Sequence, residues 1–360
     1  MDLDGLREGI RERDLQIIRL IAERTELARQ IGEIKIGEGL PIRNIEVEKK
    51  VIGRYIEEGS KHGLSEGCMR SIASAAIQEA VDTESRLFKN GKVRKVAVIG
   101  GAGKMGRWVA DLLGNDGNEI MVIDPVSENG RTIKDCSDVD VVIISVPIHA
   151  VECVLKELDG ICGEDTLIFD LSSLKSSLLD TLKDMAKRRK VCSVHPMFGP
   201  SVPSMYDRNL IICNCGNEEA VKEASALFDD RGGNLRIMDV EEHDGYMSYV
   251  LGLTHAVNIA LFTALERSGK SFKDLQSVAS TTFNKGLDTN RSVASEDPML
   301  YYEIQHVNSH RDEIQHVNSH RDEMWDLFCD AVKDIRKASI SDDPKMFCDI
   351  MEAGRLYFES

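Results

Sequence analysis

From Leu3 to Ile34 apolar side chains recur at steps of three, four and seven: Leu3, Leu6, Ile10, Ile17, Leu20, Leu27, Ile31 and Ile34. That spacing is the stripe of an amphipathic helix. No proline interrupts it, so the pattern predicts one helix of about 30 residues, roughly 45 Å long. A helix of that length outruns what a small domain can cover and calls for a partner chain. Gly37, Gly39 and Pro41 break it. A second helix is predicted from Asn44, a good N-cap, to about Ser60, with a turn at Lys61-His62-Gly63. Ser65 can cap a third, running to about Phe88.

Beyond Lys92 the pattern changes to short apolar runs separated by helical segments. Val96–Ile99, Glu119–Ile123, Asp140–Pro147, Thr166–Asp170 and Val191–Val194 read as buried parallel strands. Helical periodicity returns from Gly245 to Arg267, from Phe272 to Leu287, and after Pro298. The predicted fold is therefore multidomain: an all-α module at 1–90, an α/β Rossmann-type region at 92–250, and an all-α region at 251–360.

Composition narrows the classes. The 360 residues are 42% hydrophobic and 29% charged, which excludes a disordered or fibrous chain. The net charge of -16 argues against nucleic acid as partner. Residues 1–90 are nearly balanced, with 15 basic and 17 acidic side chains, so the acidity lies in the remainder and hints at a fusion. No run approaches the ~18 uninterrupted apolar residues of a membrane span. The start, MDLDGLREGI, does not read as a secretory signal. Nine scattered cysteines without CxxC pairs imply reduced thiols in a cytoplasmic protein. Cys213 and Cys215 are expected on one face of a strand.

Two chemistries stand out. Arg13 and Arg24 occupy stripe positions in the first helix, and Arg24 and Lys35, 11 residues apart, fall within about 20° of one face. Cations there need an anionic partner, or else snorkel beside an intrachain glutamate. The second feature follows Val96–Ile99 directly. The frame Gly101-x-Gly103-x-x-Gly106, enclosing Lys104 and Met105, opens a helix, and Asp124 follows at the end of the next strand. Such glycines let the backbone approach a pyrophosphate, and the acid takes ribose hydroxyls, which favours NAD over NADP. Ser145, Lys175 and His195 lie at later strand ends, where ligands bind in such sheets. A histidine before proline also simply ends a strand, so His195 needs context.

Residues 1–88 resemble the all-helical chorismate mutase family through Leu6-Arg7-Glu8, Leu20-Ile21-Ala22-Glu23-Arg24, Leu27-Ala28, Lys35 and Pro41–Glu48. The resemblance implies an active site inside a two-chain helical dimer. Arg24 and Lys35 would come from one long helix, Arg7 from the partner's, and Glu48 would receive the substrate's ring hydroxyl. Chorismate is a dianion whose rearrangement to prephenate needs no nucleophile, only a compact conformer and charge stabilisation at the ether oxygen. Val47 stands where some relatives have arginine, Ala80 where some have serine, and Glu84 where some have glutamine. Glu84 could give a hydrogen bond to the ether oxygen only when protonated.

About residues 93–360 resemble prephenate dehydrogenase through Asp140–Ile148, Asp170–Lys175, His195–Gly199, Glu242-His243-Asp244 and Leu253-Thr254-His255. The whole chain thus resembles the bifunctional chorismate mutase–prephenate dehydrogenases of tyrosine biosynthesis. The resemblance implies His195 as the base for the ring C4 hydroxyl while hydride moves to NAD, with Ser145 holding imidazole and nicotinamide in register. Arg291 would bind a carboxylate, His255 would line the pocket, and Lys175 would support the loop or the anion; His243 and Asp244 read as structural. The expected partners are chorismate, prephenate and a second copy of the chain, without nucleic acid, membrane or metal. Alternatives are an arogenate dehydrogenase, a helical module that only binds or dimerises, and an NAD-sensing protein, which His195 and Ser145 together disfavour.

Glu303–Asp312 is repeated without change at Glu313–Asp322, a tandem duplication. As helix, the insert would add roughly 15 Å and bulge out or extend into solvent. It places His306/His310 and His316/His320 at a spacing that can hold zinc. No neighbouring Cys or Glu completes a site, and duplication alone accounts for the pattern.

Overall fold

Asp2 and Asn44 each turn a side-chain oxygen onto a backbone N–H three residues on, and these caps start the first two helices. A computed structural model describes residues 2–41, 43–85, 87, 93–127, 130–229, 231–296, 298–307, 319–341 and 343–359. The duplicated histidines and Asp297 lie outside the residues whose side chains are described. Helices α1 (Leu3–Glu38), α2 (Ile45–Lys61) and α3 (Glu66–Ser85) form the N-terminal module. The first helix is longer than its stripe predicts, ending only at Gly39 in a left-handed conformation. Its stripe is not buried within the chain. Ala28 and Gly32 are its buried positions, while Leu3, Ile10, Leu20, Leu27 and Ile34 stay about three-fifths exposed.

The α/β region follows as β1 (Lys95–Ile99), α4 (Lys104–Asn115), β2 (Glu119–Ile123), β3 (Val141–Ile144), α5 (Ile148–Asp159), β4 (Leu167–Asp170), α6 (Leu179–Ala186), β5 (Val191–Pro196), β6 (Asn209–Asn214), α7 (Glu218–Phe228) and β7 (Asn234–Asp239). The strands make one sheet in the order β2-β1-β3-β4-β5-β6-β7. The first five run parallel; β6 is antiparallel to β5 and parallel to β7. Val96, Val98, Ile143, Phe169, Val194, Ile212 and Phe228 belong to its core. Two expectations need correcting. Pairing with β6 extends β5 through His195 and Pro196, so the histidine lies in the strand's last turn of pleat rather than after it. Cys215 lies beyond the end of β6, so it does not share a strand face with Cys213, although both are buried.

The remaining helices are α8 (Val240–Met247), α9 (Thr254–Arg267), α10 (Phe272–Ser277), α11 (Thr281–Ser295), α12 (Pro298–Val307), α13 (Ser319–Ser339) and α14 (Lys345–Glu359). Between α8 and α9, Ser248–Leu253 forms a π-helical turn. The stretch Val240–Arg267 is 28 residues long, with a window of mean hydropathy 1.4 that is 22% buried, so by length and composition it could cross a membrane. Tyr246, Tyr249, Val250, Val257 and Leu261 on it are exposed. Packing divides the chain into one unit of residues 1–172 and 180–239 and another of 173–179 and 240–360. The N-terminal helices and the sheet thus share a unit.

Candidate active sites

In the N-terminal module, α1, α2 and α3 enclose a cavity of about 570 Å³. Arg24, Lys35, Glu48 and Glu84 all line it, against walls that include Ile31 and Val51. Arg24 donates to the Ala76 carbonyl. Lys35 Nζ lies 2.6 Å from Glu84 Oε2, with the carboxylate buried and the ammonium largely so. Lys35 thus has an intrachain glutamate as its partner across the α1–α3 packing, while Arg24 meets a carbonyl. Glu48 accepts from Arg43 Nε at 3.1 Å and from the Tyr206 hydroxyl at 3.2 Å. Val47 and Ala80 also line the cavity. Arg7 is exposed on α1, paired with Asp4, and does not line its own chain's cavity.

Arg54 lines the same cavity and escaped the sequence reading. Its signal was available: it lies seven residues after Val47, within about 20° of the same face of α2. A cation two turns along the stripe thus stands on the wall where position 47 carries none.

The second site forms at the switch in strand order, where β1 lies between β2 and β3. Gly100 has φ of +78°, and a Cβ there would sit 2.2 Å from the Ser145 carbonyl oxygen. A Cβ on Gly106 would meet the Gly100 carbonyl at 2.3 Å. Only glycine therefore admits the tight turn. Gly103 caps α4 without a side-chain hydrogen bond, leaving first-turn N–H groups beside Lys104 and Met105 for a phosphate. Asp124 ties the turn down: its carboxylate accepts from Ala102 N at 3.1 Å and Val126 N at 3.0 Å. The residues fit a dinucleotide: a bare helix N-terminus, a glycine cradle and an acid at the next strand's end.

Ser145 follows β3 and is bonded through its N–H to the Ile99 carbonyl at 2.8 Å, fixing it against the glycine turn. His195 is 4% exposed. Its strand is held by Asp170, a fully buried carboxylate at the end of β4 that accepts from Ser193 Oγ at 2.5 Å and Ser172 N at 2.9 Å.

In the other unit, Asp244 accepts from the backbone N–H of Lys175 at 2.9 Å and of Ser176 at 2.7 Å, and lies 2.7 Å from His243 Nδ1. Burial alone would raise its pKa, but the bonds from His243, Ser176 and Lys175 hold it below the usual carboxylate value. The Lys175 side chain is fully buried. Arg291 lies on α11, a helix extending past the predicted end at Leu287, with its guanidinium 4.8 Å from the Phe272 ring centre. It lines a cavity of about 410 Å³ with Lys270, Glu266 and Asn290, against apolar walls that include Phe262 and Leu265. His255 is not part of that cavity. Its ring sits 4.3 Å from that of Tyr301, its Nδ1 is buried without a partner, and burial lowers its pKa to about 4. His255 is therefore a neutral side chain at physiological pH.

Comparison with known proteins adds three matches. Residues 6–85 match the family described as chorismate mutase type II. Residues 114–237 match the prephenate dehydrogenase nucleotide-binding domain, and residues 239–353 the prephenate dehydrogenase dimerization domain. The T-protein of Enterobacter agglomerans is 29% identical over 307 residues, 84% of this chain and 81% of that one. The T-protein of Haemophilus influenzae is 28% identical over 306 residues, covering 84% and 80%. A crystal structure of prephenate dehydrogenase from A. aeolicus, with hydroxyphenyl propionate and NAD+, covers 75% of this chain and 100% of its own at 20% identity, TM-score 0.57. It shares the fold.

Proposed function

With a type II chorismate mutase domain joined to both domains of prephenate dehydrogenase, the chain belongs to the bifunctional chorismate mutase–prephenate dehydrogenases, and we propose how its residues divide the work. The protein rearranges chorismate to prephenate, then oxidatively decarboxylates prephenate to 4-hydroxyphenylpyruvate with NAD. One observation carries the assignment of residues: Arg24, Lys35, Glu48 and Glu84 converge on one helical cavity in a chain that also builds a glycine cradle ending at Ser145.

In the mutase site, Arg24 and Arg54 hold the substrate carboxylates and Lys35 stabilises charge growing on the ether oxygen. Arg7 of the partner chain completes the cation set. Glu48 receives the ring hydroxyl. Glu84, ion-paired with Lys35 across the cavity, fixes where that ammonium points.

In the dehydrogenase site, NAD supplies the hydride acceptor when bound. The glycine turn and the α4 N-terminus hold its pyrophosphate, and Asp124 the adenosine ribose. His195, neutral, takes the proton of the prephenate C4 hydroxyl, and Ser145 fixes its orientation. Loss of the ring carboxylate as CO2 then yields the aromatic product. Arg291 binds a prephenate carboxylate, His255 lines the substrate pocket, and Lys175, with its side chain fully buried, supports the loop. The apolar face of Val240–Arg267 is suited to the interface of a homodimer, consistent with the dimerization domain matched there. The nine cysteines are free thiols.

The direct experiment is incubation with chorismate, with and without NAD. Prephenate should accumulate without NAD, and 4-hydroxyphenylpyruvate and NADH should appear in equal amounts with it. Recovery of chorismate in both arms would overturn the mutase assignment. Prephenate that persists with NAD, while arogenate is oxidised, would move the second activity to the amine-bearing substrate.

A further inference from the structure

Glu48 is held both from within the helical module and from outside it. Arg43 grips it through Nε to Oε1 at 3.1 Å and Nη2 to Oε2 at 3.4 Å. The Tyr206 hydroxyl donates to Oε2 at 3.2 Å, from the loop between β5 and β6. Arg43 is itself anchored on that region, donating to the Gly232 carbonyl at 3.2 Å and Asp207 Oδ1 at 3.2 Å, and lying 5.0 Å from the centre of the Tyr206 ring.

The backbone is shaped for this contact. Asp207, beside Tyr206, has φ of +55°, the one positive value for a non-glycine among the described residues. Gly232 has φ of +73°, and a Cβ there would sit 2.7 Å from Val81 of α3. Tyr206, like Val51 and Ile52, packs against the pair Ile77 and Val81, and Val51, Ile77 and Val81 also line the mutase cavity.

Counting lone pairs shows what the clamp does. A carboxylate oxygen accepts about two hydrogen bonds. Oε2 takes bonds from Arg43 and Tyr206, while Oε1 takes one from Arg43, which leaves Oε1 one acceptor position on a residue that lines the cavity. Resting on the mutase reading above, we infer that Tyr206, with Arg43, is a positioning residue that presents Glu48 Oε1 to the ring hydroxyl of chorismate. The nucleotide-binding region thus completes the mutase site. Burial, then the nearby Glu48 charge, pushes the Tyr206 hydroxyl up to about 12, so it remains a donor through the working pH range.

Tyr206→Phe in the full-length protein is the test, since it keeps the ring and removes only the O–H. kcat/KM for chorismate should fall by about tenfold, the worth of one hydrogen bond to a charged group. In the same preparation, kcat with added prephenate and KM for NAD should stay within about twofold, which also reports intact folding. In a Glu48→Gln background the Tyr206→Phe step should cost less than about twofold, because the two act as one unit. Arg43→Lys should fall in the same direction as Tyr206→Phe. A Tyr206→Phe enzyme with wild-type kcat/KM for chorismate, or an equal loss in both backgrounds, overturns the proposal. A wild-type chain inactive on chorismate would instead overturn the mutase reading itself.

Discussion

Replacing His195 with asparagine is expected to lower the dehydrogenase kcat by about a thousandfold, the typical worth of a positioned general base. Asparagine keeps a polar group of similar reach but cannot take the C4 hydroxyl proton. The Kd for NAD should be unchanged, because the proposed cofactor cradle is built from Gly100, Gly106, Asp124 and the α4 N-terminus. Mutase activity of the same sample should be untouched. Stopped-flow absorbance of NADH and fluorescence titration of NAD separate the two effects. A variant turning over prephenate at the wild-type rate would remove His195 from the chemistry. One that merely loses NAD would show that it shapes the sheet edge instead.

The second large effect concerns Lys35. Lys35→Ala should reduce mutase kcat by about a thousandfold, as expected when a donor aimed at developing charge is removed from a partly closed site. The substitution also leaves Glu84 buried without its ion-pair partner, so prephenate oxidation in the same protein is the control for folding. Arg7→Ala should be similarly defective while leaving Lys35 in place. Unfolding and refolding the two variants together should then restore about one quarter of wild-type mutase activity. Half of the random dimers would be mixed, and each mixed dimer concentrates both changes in one site, leaving the other complete. Failure to recover activity, with mixed dimers demonstrated by mass, would place Arg7 outside the site.

The three N-terminal helices were legible because their caps and stripe are local: Asn44 and Ser65 mark helix starts, and no proline enters α1. The strands β1 to β5 were legible as short apolar runs, and the glycine turn because its residues are consecutive. What sequence hid depends on distance. The antiparallel partner β6, which extends β5 through His195, is a pairing that no local pattern encodes. The π-helical turn at Ser248–Leu253 sits inside a stretch whose apolar periodicity reads as continuous helix. Arg43 was visible as part of a family-like run, but its hold on Glu48 involves Tyr206, 158 residues away. Arg54 was the avoidable omission, because a positive charge seven residues after Val47 is a simple helical relation.

The bare stripe of α1 sets an order of events at synthesis. This segment is synthesised before the sheet, yet Leu3, Ile10 and Leu20 find no cover among the described residues. Under the two-chain mutase site proposed above, maturation of this segment is a bimolecular event that waits on an encounter with another chain. The yield of competent enzyme becomes a question of how many copies a cell makes, and dilution alone can switch off the first reaction while sparing the fold of the central sheet.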